Sequence, residues 1–372
     1  MLSDAISTIM IRPGTTFIHF SFQTRALTRH SRARHVVDAR AHGPVLIMTT
    51  ASAIARAVAT AVTRGDFVIT ARELAELQDA DGASTLADVL QTVVECVKTH
   101  ARPPTSGFNV GAAALGASGT VYLGVNVEIT AVPLNHSIHA EQFALVTAMA
   151  SDERKIVMIA TTAAPCGHCR QFMNELRDAS ELRCVMPSGS WTLAELLPHS
   201  FGPLDLLDES SATLEGLLLE ERSSNVRGGV SVWNMRACVS GDGISEDAVP
   251  RCLDEILKSN ASYRALAEMS HKALEKAYAP YSKSPAGISA LTSCGEEFLG
   301  WSLESAAYNP SMSPFQCLTA RMVARGKDLA SIERVVLTEL HGAPVKYECT
   351  VRLALAQVAP HARLVVINYH DT

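Results

Sequence analysis

Four residues in two short stretches carry the groups that a hydrolytic metal site needs. His139 and Glu141 lie in "SIHAEQF" (137–143), Cys166 and Cys169 in "APCGHCRQF" (164–172). Catalytic zinc takes three protein ligands and leaves a fourth position to water. His139, Cys166 and Cys169 supply that number, and the Cys-x-x-Cys spacing lets two thiolates reach one ion from the first turn of a helix. Glu141 is two residues beyond His139 and off its helical face, so it is expected to act beside the ion. A carboxylate there can take a proton from zinc-acidified water and hand it to a leaving group. His168, inside the Cys-x-x-Cys, is expected to face away.

The elements that must position these groups follow from hydrophobic periodicity. "FNVGAAALGA" (108–117) and "TVYLGVNVE" (120–128) read as strands joined by a turn at Ser118-Gly119. "HAEQFALVTAMA" (139–150) has helical spacing, "KIVMIATT" (155–162) reads as a buried strand, "CGHCRQFMNELRDA" (166–179) as a helix and "LRCVMP" (182–187) as a strand. Both polar patches therefore open helices, whose positive ends favour thiolates; Pro165 suits such a start. A hairpin followed by αβαβ predicts an α/β layer on a mixed sheet. Upstream, Thr70 and Thr85 are candidate caps of two short helices.

The pattern occurs twice. Residues 286–323 match 110–147 at a constant offset of 176, aligning Gly111 with Gly287, Gly124 with Gly300 and Glu128 with Glu304. That offset puts Phe315 at the place of His139 and Cys317 at that of Glu141 (Gln316 with a one-residue shift). The second copy keeps a scaffold and loses the polar cluster. The expected organisation is an Arg-rich extension over 1–47, disordered or targeting; a helical segment over 48–100; a catalytic domain over 101–205; a Glu-, Ser- and Gly-rich linker over 206–250; and a degenerate domain over 251–372.

Composition narrows the function classes. A formal net charge of −6 argues against a polyanion-binding surface, which needs a basic excess. No run approaches the length of a membrane span. Nine scattered cysteines are odd in number and fit a reducing compartment better than a disulfide framework. The expected partner is a small molecule, with no nucleic acid and no membrane. The expected location is cytoplasmic, or organellar if 1–47 is a transit peptide.

His-x-Glu followed by Pro-Cys-x-x-Cys is the signature of zinc nucleobase deaminases. With "FNVGA", "GVNVE", "LPHSFGP", "APYSKSPAG" and "ESAAYNP" in order over roughly 70–372, the chain resembles the homodimeric cytidine deaminases of the bacterial and plant type. The resemblance implies duplicated three-layer α/β/α domains after a small helical segment, and one Zn2+ per chain on His139, Cys166 and Cys169. It implies that Asn126 and Glu128 hold the ribose 3′-hydroxyl. Phe108 and Phe201 would pack on the pyrimidine, and the backbone at Ala164 would meet its 4-amino group. Hydroxide on the zinc would add at C4 with Glu141 shuttling protons. The degenerate domain would form much of a dimer interface. A polynucleotide cytosine deaminase shares the signature, and a catalytically silent zinc protein is the alternative from another class.

Overall fold

The structure, a computed structural model, describes residues 43–81, 84–208, 217–220, 236–242, 251–257 and 263–370. The targeting or disorder expected for 1–47 therefore falls almost wholly outside the described residues. The first helix spans Gly43–Arg64, starting before Met48. Two more follow, Ala71–Asp81 and Leu86–Val97. Thr70 and Thr85 both cap as expected: each hydroxyl accepts the N3 amide and each threonine amide donates to the N3 carboxylate, of Glu73 or Asp88.

The first sheet contains β1 (Val68–Ile69), β2 (Gly111–Gly116), β3 (Val121–Val125), β4 (Ile156–Thr161), β5 (Arg183–Met186) and β6 (Gly189–Thr192) in the order β1-β3-β2-β4-β5-β6. Only β4 and β5 run parallel. The second sheet has β7 (Arg236–Gly241), β8 (Arg251–Cys252), β9 (Ala286–Thr292), β10 (Glu297–Trp301), β11 (Ile332–Leu340) and β12 (Arg363–Tyr369), ordered β10-β9-β11-β12-β7-β8. Its parallel pair is β11 and β12. The mixed sheet and its duplication are as expected.

Two glycine pairs explain the α/β/α layering. A Cβ on Gly111 would strike the Val94 carbonyl of the Leu86–Val97 helix; one on Gly124 would strike the Ala140 carbonyl of the Ala140–Ala150 helix. Ala112 pairs with Gly124, so Gly111 faces the opposite side of the sheet. Each glycine thus lets one helix press close on one face. The second copy repeats this: Gly287 meets Ser270 of the Arg264–Glu275 helix, and Gly300 meets Pro314 of the Pro314–Ala324 helix.

Those contacts also correct the repeat alignment. Gly124 touches Ala140 and Ala144, Gly300 touches Pro314 and Leu318, and the bridges Val127–Ile138 and Leu303–Met312 correspond. The second copy is therefore two residues shorter in the loop between the bridge partners, 128–137 in the first copy and 304–311 in the second. Ser313, not Phe315, is the N-cap at the place of His139, and Phe315 takes the place of Glu141. The loss of chemistry stands, with different residues marking it.

Two further expectations shift. Residues 236–241, read as linker, form β7 and pair antiparallel with β12, which is far away in sequence. The helix expected over 166–179 stops at Met173. Past it the backbone pairs elsewhere, the Glu175 carbonyl accepting the Leu218 amide at 3.2 Å, and the second copy holds the Glu175 side chain: its buried carboxylate accepts from the Tyr278 hydroxyl at 3.0 Å, the Ala306 amide at 2.7 Å and the Tyr281 hydroxyl. The two copies share core. Trp301, fully buried, packs with the first copy's hydrophobic residues and donates its indole N–H to Met149 Sδ, while Ile129 and Val132 join the second copy's core.

Candidate active site

His139 is the N-cap of the Ala140–Ala150 helix, and Cys166 is the N-cap of the Gly167–Met173 helix that also carries Cys169. The close approach of β3 at Gly124 sets the first helix against the sheet. Gln142 fixes its start: its Oε1 accepts the His139 amide at 3.2 Å. The three donor atoms converge. His139 Nδ1 lies 3.5 Å from Cys166 Sγ and 3.2 Å from Cys169 Sγ, and the sulfurs are 3.7 Å apart. A tetrahedral ion with Zn–S and Zn–N bonds of about 2.3 and 2.0 Å needs ligand separations of roughly 3.3–3.8 Å, so the donors fit zinc. The donor chemistry fits as well, thiolate and imidazole being ligands that zinc prefers to calcium or magnesium.

The electrostatics of the cluster follow from proximity and burial. The hydrogen bond between the two sulfurs and the adjacent imidazole pull Cys166 down to about 3, while that hydrogen bond and burial push Cys169 up. The thiolate character of Cys166 in turn raises His139. Glu141 is 4% exposed, and burial lifts its carboxyl above the ordinary range. A carboxyl held above its ordinary range takes up a proton more readily than a free one, as a group that both accepts and gives a proton requires.

A cavity of about 480 Å3 brings together most of the expected residues: Phe108, Asn126, Glu128, His139, Glu141, Ala164 and Cys166 line it. That volume suits a small ligand. Cys169 lies buried behind the wall. Phe201 does not line the cavity. It stands 46% exposed, its carbonyl accepting from Gln171 and Asn174, so within one chain it forms no wall for a ligand here.

Asn126 and Glu128 brace the cavity's rim. Asn126 Oδ1 accepts from the Val110 amide at 2.8 Å and its Nδ2 donates to the Phe108 carbonyl at 2.9 Å. Glu128 Oε2 accepts the Thr105 and Ser106 amides, and Oε1 accepts the Ser106 hydroxyl at 2.6 Å. The second copy reproduces this: Glu304 accepts the Tyr281 and Ser282 amides, and Ser302 Oγ accepts the Ala286 amide. A bracing role explains why the glutamate persists where no chemistry remains.

His168 departs from the expectation. Its ring does not face away but stacks on His139, centroids 4.6 Å apart and planes 3° off parallel. Its buried Nε2 has no hydrogen-bond partner among the described residues. Position i+2 from Cys166 carries no signal for this, because the stack depends on how the two helix starts meet.

Residues 84–186 and 193–352 match models of the "Cytidine and deoxycytidylate deaminase zinc-binding region". "Cytidine deaminase 1" of Arabidopsis thaliana is 36% identical over 323 residues, covering 82% of this chain and 98% of that protein. "Cytidine deaminase" of Pectobacterium carotovorum is 36% identical over 259 residues, covering 69% of this chain and 75% of that protein. Matched zinc-binding regions and a donor cluster of zinc dimensions agree on Zn2+ as the cofactor. With a repeated α/β/α scaffold, a His-Cys-Cys cluster beside a buried glutamate, and relatives aligned along most of its length, the chain belongs to the cytidine deaminase family.

Proposed function

We propose that the protein hydrolyses cytidine and deoxycytidine to uridine and deoxyuridine with release of ammonia, a reaction of pyrimidine salvage. The observation that carries this reading is the single cavity lined at once by Glu141, His139 and Cys166 and by Asn126 and Glu128. Zn2+ held by His139, Cys166 and Cys169 supplies the Lewis acidity that makes water a nucleophile at neutral pH.

Glu141 does the proton work. Its carboxylate takes a proton from the attacking water and delivers it to ring N3, then passes the second water proton to the departing 4-amino nitrogen. A C4–O bond forms, the C4–N bond breaks and ammonia leaves. Ala164 presents backbone at the 4-amino position, and Phe108 offers a flat apolar wall to the pyrimidine. Asn126 has a second Nδ2 hydrogen and Glu128 Oε1 spare acceptor capacity beyond the rim bonds, which suits a ribose hydroxyl. A 3′-phosphate would meet the Glu128 carboxylate, favouring a free nucleoside over a polynucleotide.

A homodimer fits the exposed apolar residues Phe201, Leu204 and Leu206, close together in sequence at the end of the catalytic domain; sedimentation of the purified protein tests it. The free cysteines among the described residues and the lack, among those residues, of a helix long and apolar enough to cross a membrane support a cytoplasmic location, which cell fractionation tests. For the chemistry the test is Glu141→Ala: the zinc stays while ammonia release from cytidine falls roughly 10²–10⁴-fold. Unchanged turnover would overturn the mechanism, and faster deamination of single-stranded DNA than of cytidine would overturn the substrate.

A further inference from the structure

Among the described residues a second group brings three metal donors together. The donor atoms of Cys238, His341 and His370 all lie within 4.8 Å of one another. They gather at one end of the second sheet, on its three neighbouring strands: Cys238 within β7, His341 one residue past β11 and His370 one residue past β12.

The backbone holds both histidines in place. The His341 amide donates to the Tyr369 carbonyl at 2.7 Å and the His370 amide to the Arg236 carbonyl at 2.8 Å, so pairing continues past each strand end. Cys238 sits opposite Asn368 in the ladder. His370, two residues on from Asn368, therefore shares its face and is the diagonal neighbour of Cys238. Cys238 Sγ and His370 Nε2 are 3.5 Å apart. The two imidazoles face each other with centroids 4.1 Å apart at 33°.

The Cys238–His370 separation falls within the range of the first cluster, where the donor pairs stand 3.2 to 3.7 Å apart, and the His341 donor lies within 4.8 Å of both. One thiolate and two imidazoles form a set for zinc or copper rather than for a hard cation, and three protein donors leave one position to water. The ligands come from three separate strands. A bound ion would tie β7 to the parallel pair β11 and β12.

We propose that Cys238, His341 and His370 form a second Zn2+ site, a structural clip on the non-catalytic copy. On binding, the Cys238 thiol releases its proton to solvent as the S–Zn bond forms, and both histidines bind as neutral imidazoles. No electrons are exchanged. The clip is independent of the active-site reading.

The test is metal stoichiometry of the full-length protein, loaded with Zn2+, freed of excess by gel filtration and measured by elemental mass spectrometry. Wild type is expected to hold two Zn2+ per chain. His341→Ala and Cys238→Ser are each expected to hold one, with cytidine turnover within about twofold of wild type because the two sites are separate. Loading with Co2+ gives a second readout: the thiolate-to-cobalt absorption of wild type should lose a component in Cys238→Ser and keep the rest. One Zn2+ per chain in wild type, lost in His139→Ala and kept in His341→Ala, would overturn the proposal and leave the first site standing. Two Zn2+ in wild type and still two in both variants would overturn it as well. Two Zn2+ in wild type, one in each variant and no cytidine turnover would uphold the clip and count against the active-site reading alone.

Discussion

Gln142 and Gln316 hold the two copies of the fold together by a reciprocal exchange. Each amide Oε1 accepts the N-cap amide of its own helix, that of His139 or of Ser313. Each Nε2 then reaches the other copy: Gln142 donates to the Pro310 carbonyl at 2.9 Å, and Gln316 to the Ser137 carbonyl at 3.1 Å. The chain carries an internal pseudo-twofold relationship, and the helix bearing His139 and Glu141 starts on a contact with the copy that has no chemistry.

The two glutamines should therefore be separable in effect. Gln142→Leu and Gln316→Leu each strip buried donors and acceptors and are expected to cost about 1–3 kcal/mol of stability, read from urea unfolding. Only Gln142→Leu also frees the His139 backbone, so it alone should lose zinc at lower chelator concentration. Equal zinc retention in both variants would show that the N-cap bond does not position His139.

Glu175 gives the contact between copies a pH dependence. Burial lifts its carboxyl above the ordinary range, against the opposing hydrogen bonds from Tyr281, the Ala306 amide and Tyr278. A carboxyl raised in the folded state contributes its stability in full below the unfolded value of about 4.3 and loses it as pH rises through the folded value. Glu175→Gln does not titrate. Unfolding free energies measured from about pH 4.5 to 8 should thus shift against wild type relative to the Gln variant as pH rises, and a constant difference would contradict the assignment. Glu175→Ala, which leaves two tyrosine hydroxyls and an amide without this acceptor, is expected to cost about 2–4 kcal/mol at any pH in that range.

Gly124 and Gly300 allow a controlled comparison of packing with chemistry. A Cβ at either would collide with backbone of the helix above it, so Gly124→Ala and Gly300→Ala should each destabilise by about 1–3 kcal/mol. In the first copy the displaced helix carries His139 and Glu141; in the second it carries Ser313 and Phe315. Turnover per zinc-loaded, folded molecule should fall at least tenfold in Gly124→Ala and stay near wild type in Gly300→Ala, because small misplacement of catalytic groups is costly. A kinetic assay normalised to bound zinc decides it.

Much of this arrangement was legible because it rests on local rules. The hairpin at Ser118-Gly119 uses a left-handed Gly119, Thr70 and Thr85 cap helices by side-chain chemistry, and His139 with the Cys166–Cys169 pair is identified by spacing. What escaped the sequence depends on distant partners. β7 is a strand only through pairing with β12, and just past the Gly167–Met173 helix Glu175 finds its partners in Leu218 and in tyrosines more than a hundred residues on. The two-residue shortening that brings Ser313 to the place of His139 lies in an irregular loop, where periodicity gives no register. The His168 stack and the absence of Phe201 from the cavity arise from how separate segments meet.

The second copy also supplies the control for Asn126. Ser302 occupies the matching position and still accepts the Ala286 amide as Asn126 accepts that of Val110, but among the described bonds it lacks the counterpart of the Asn126 donation to Phe108. Asn126→Ser should therefore fold with a loss of about 1 kcal/mol or less, keeping one rim bond and losing one exposed donor. If Asn126 also serves the sugar, the same change raises KM for cytidine about tenfold, the equivalent of one lost hydrogen bond to substrate. With Glu141 untouched, kcat should hold within about threefold. Steady-state kinetics on cytidine separate the roles: a raised KM with kcat preserved marks a substrate contact, whereas unchanged constants leave Asn126 as a brace of the rim alone.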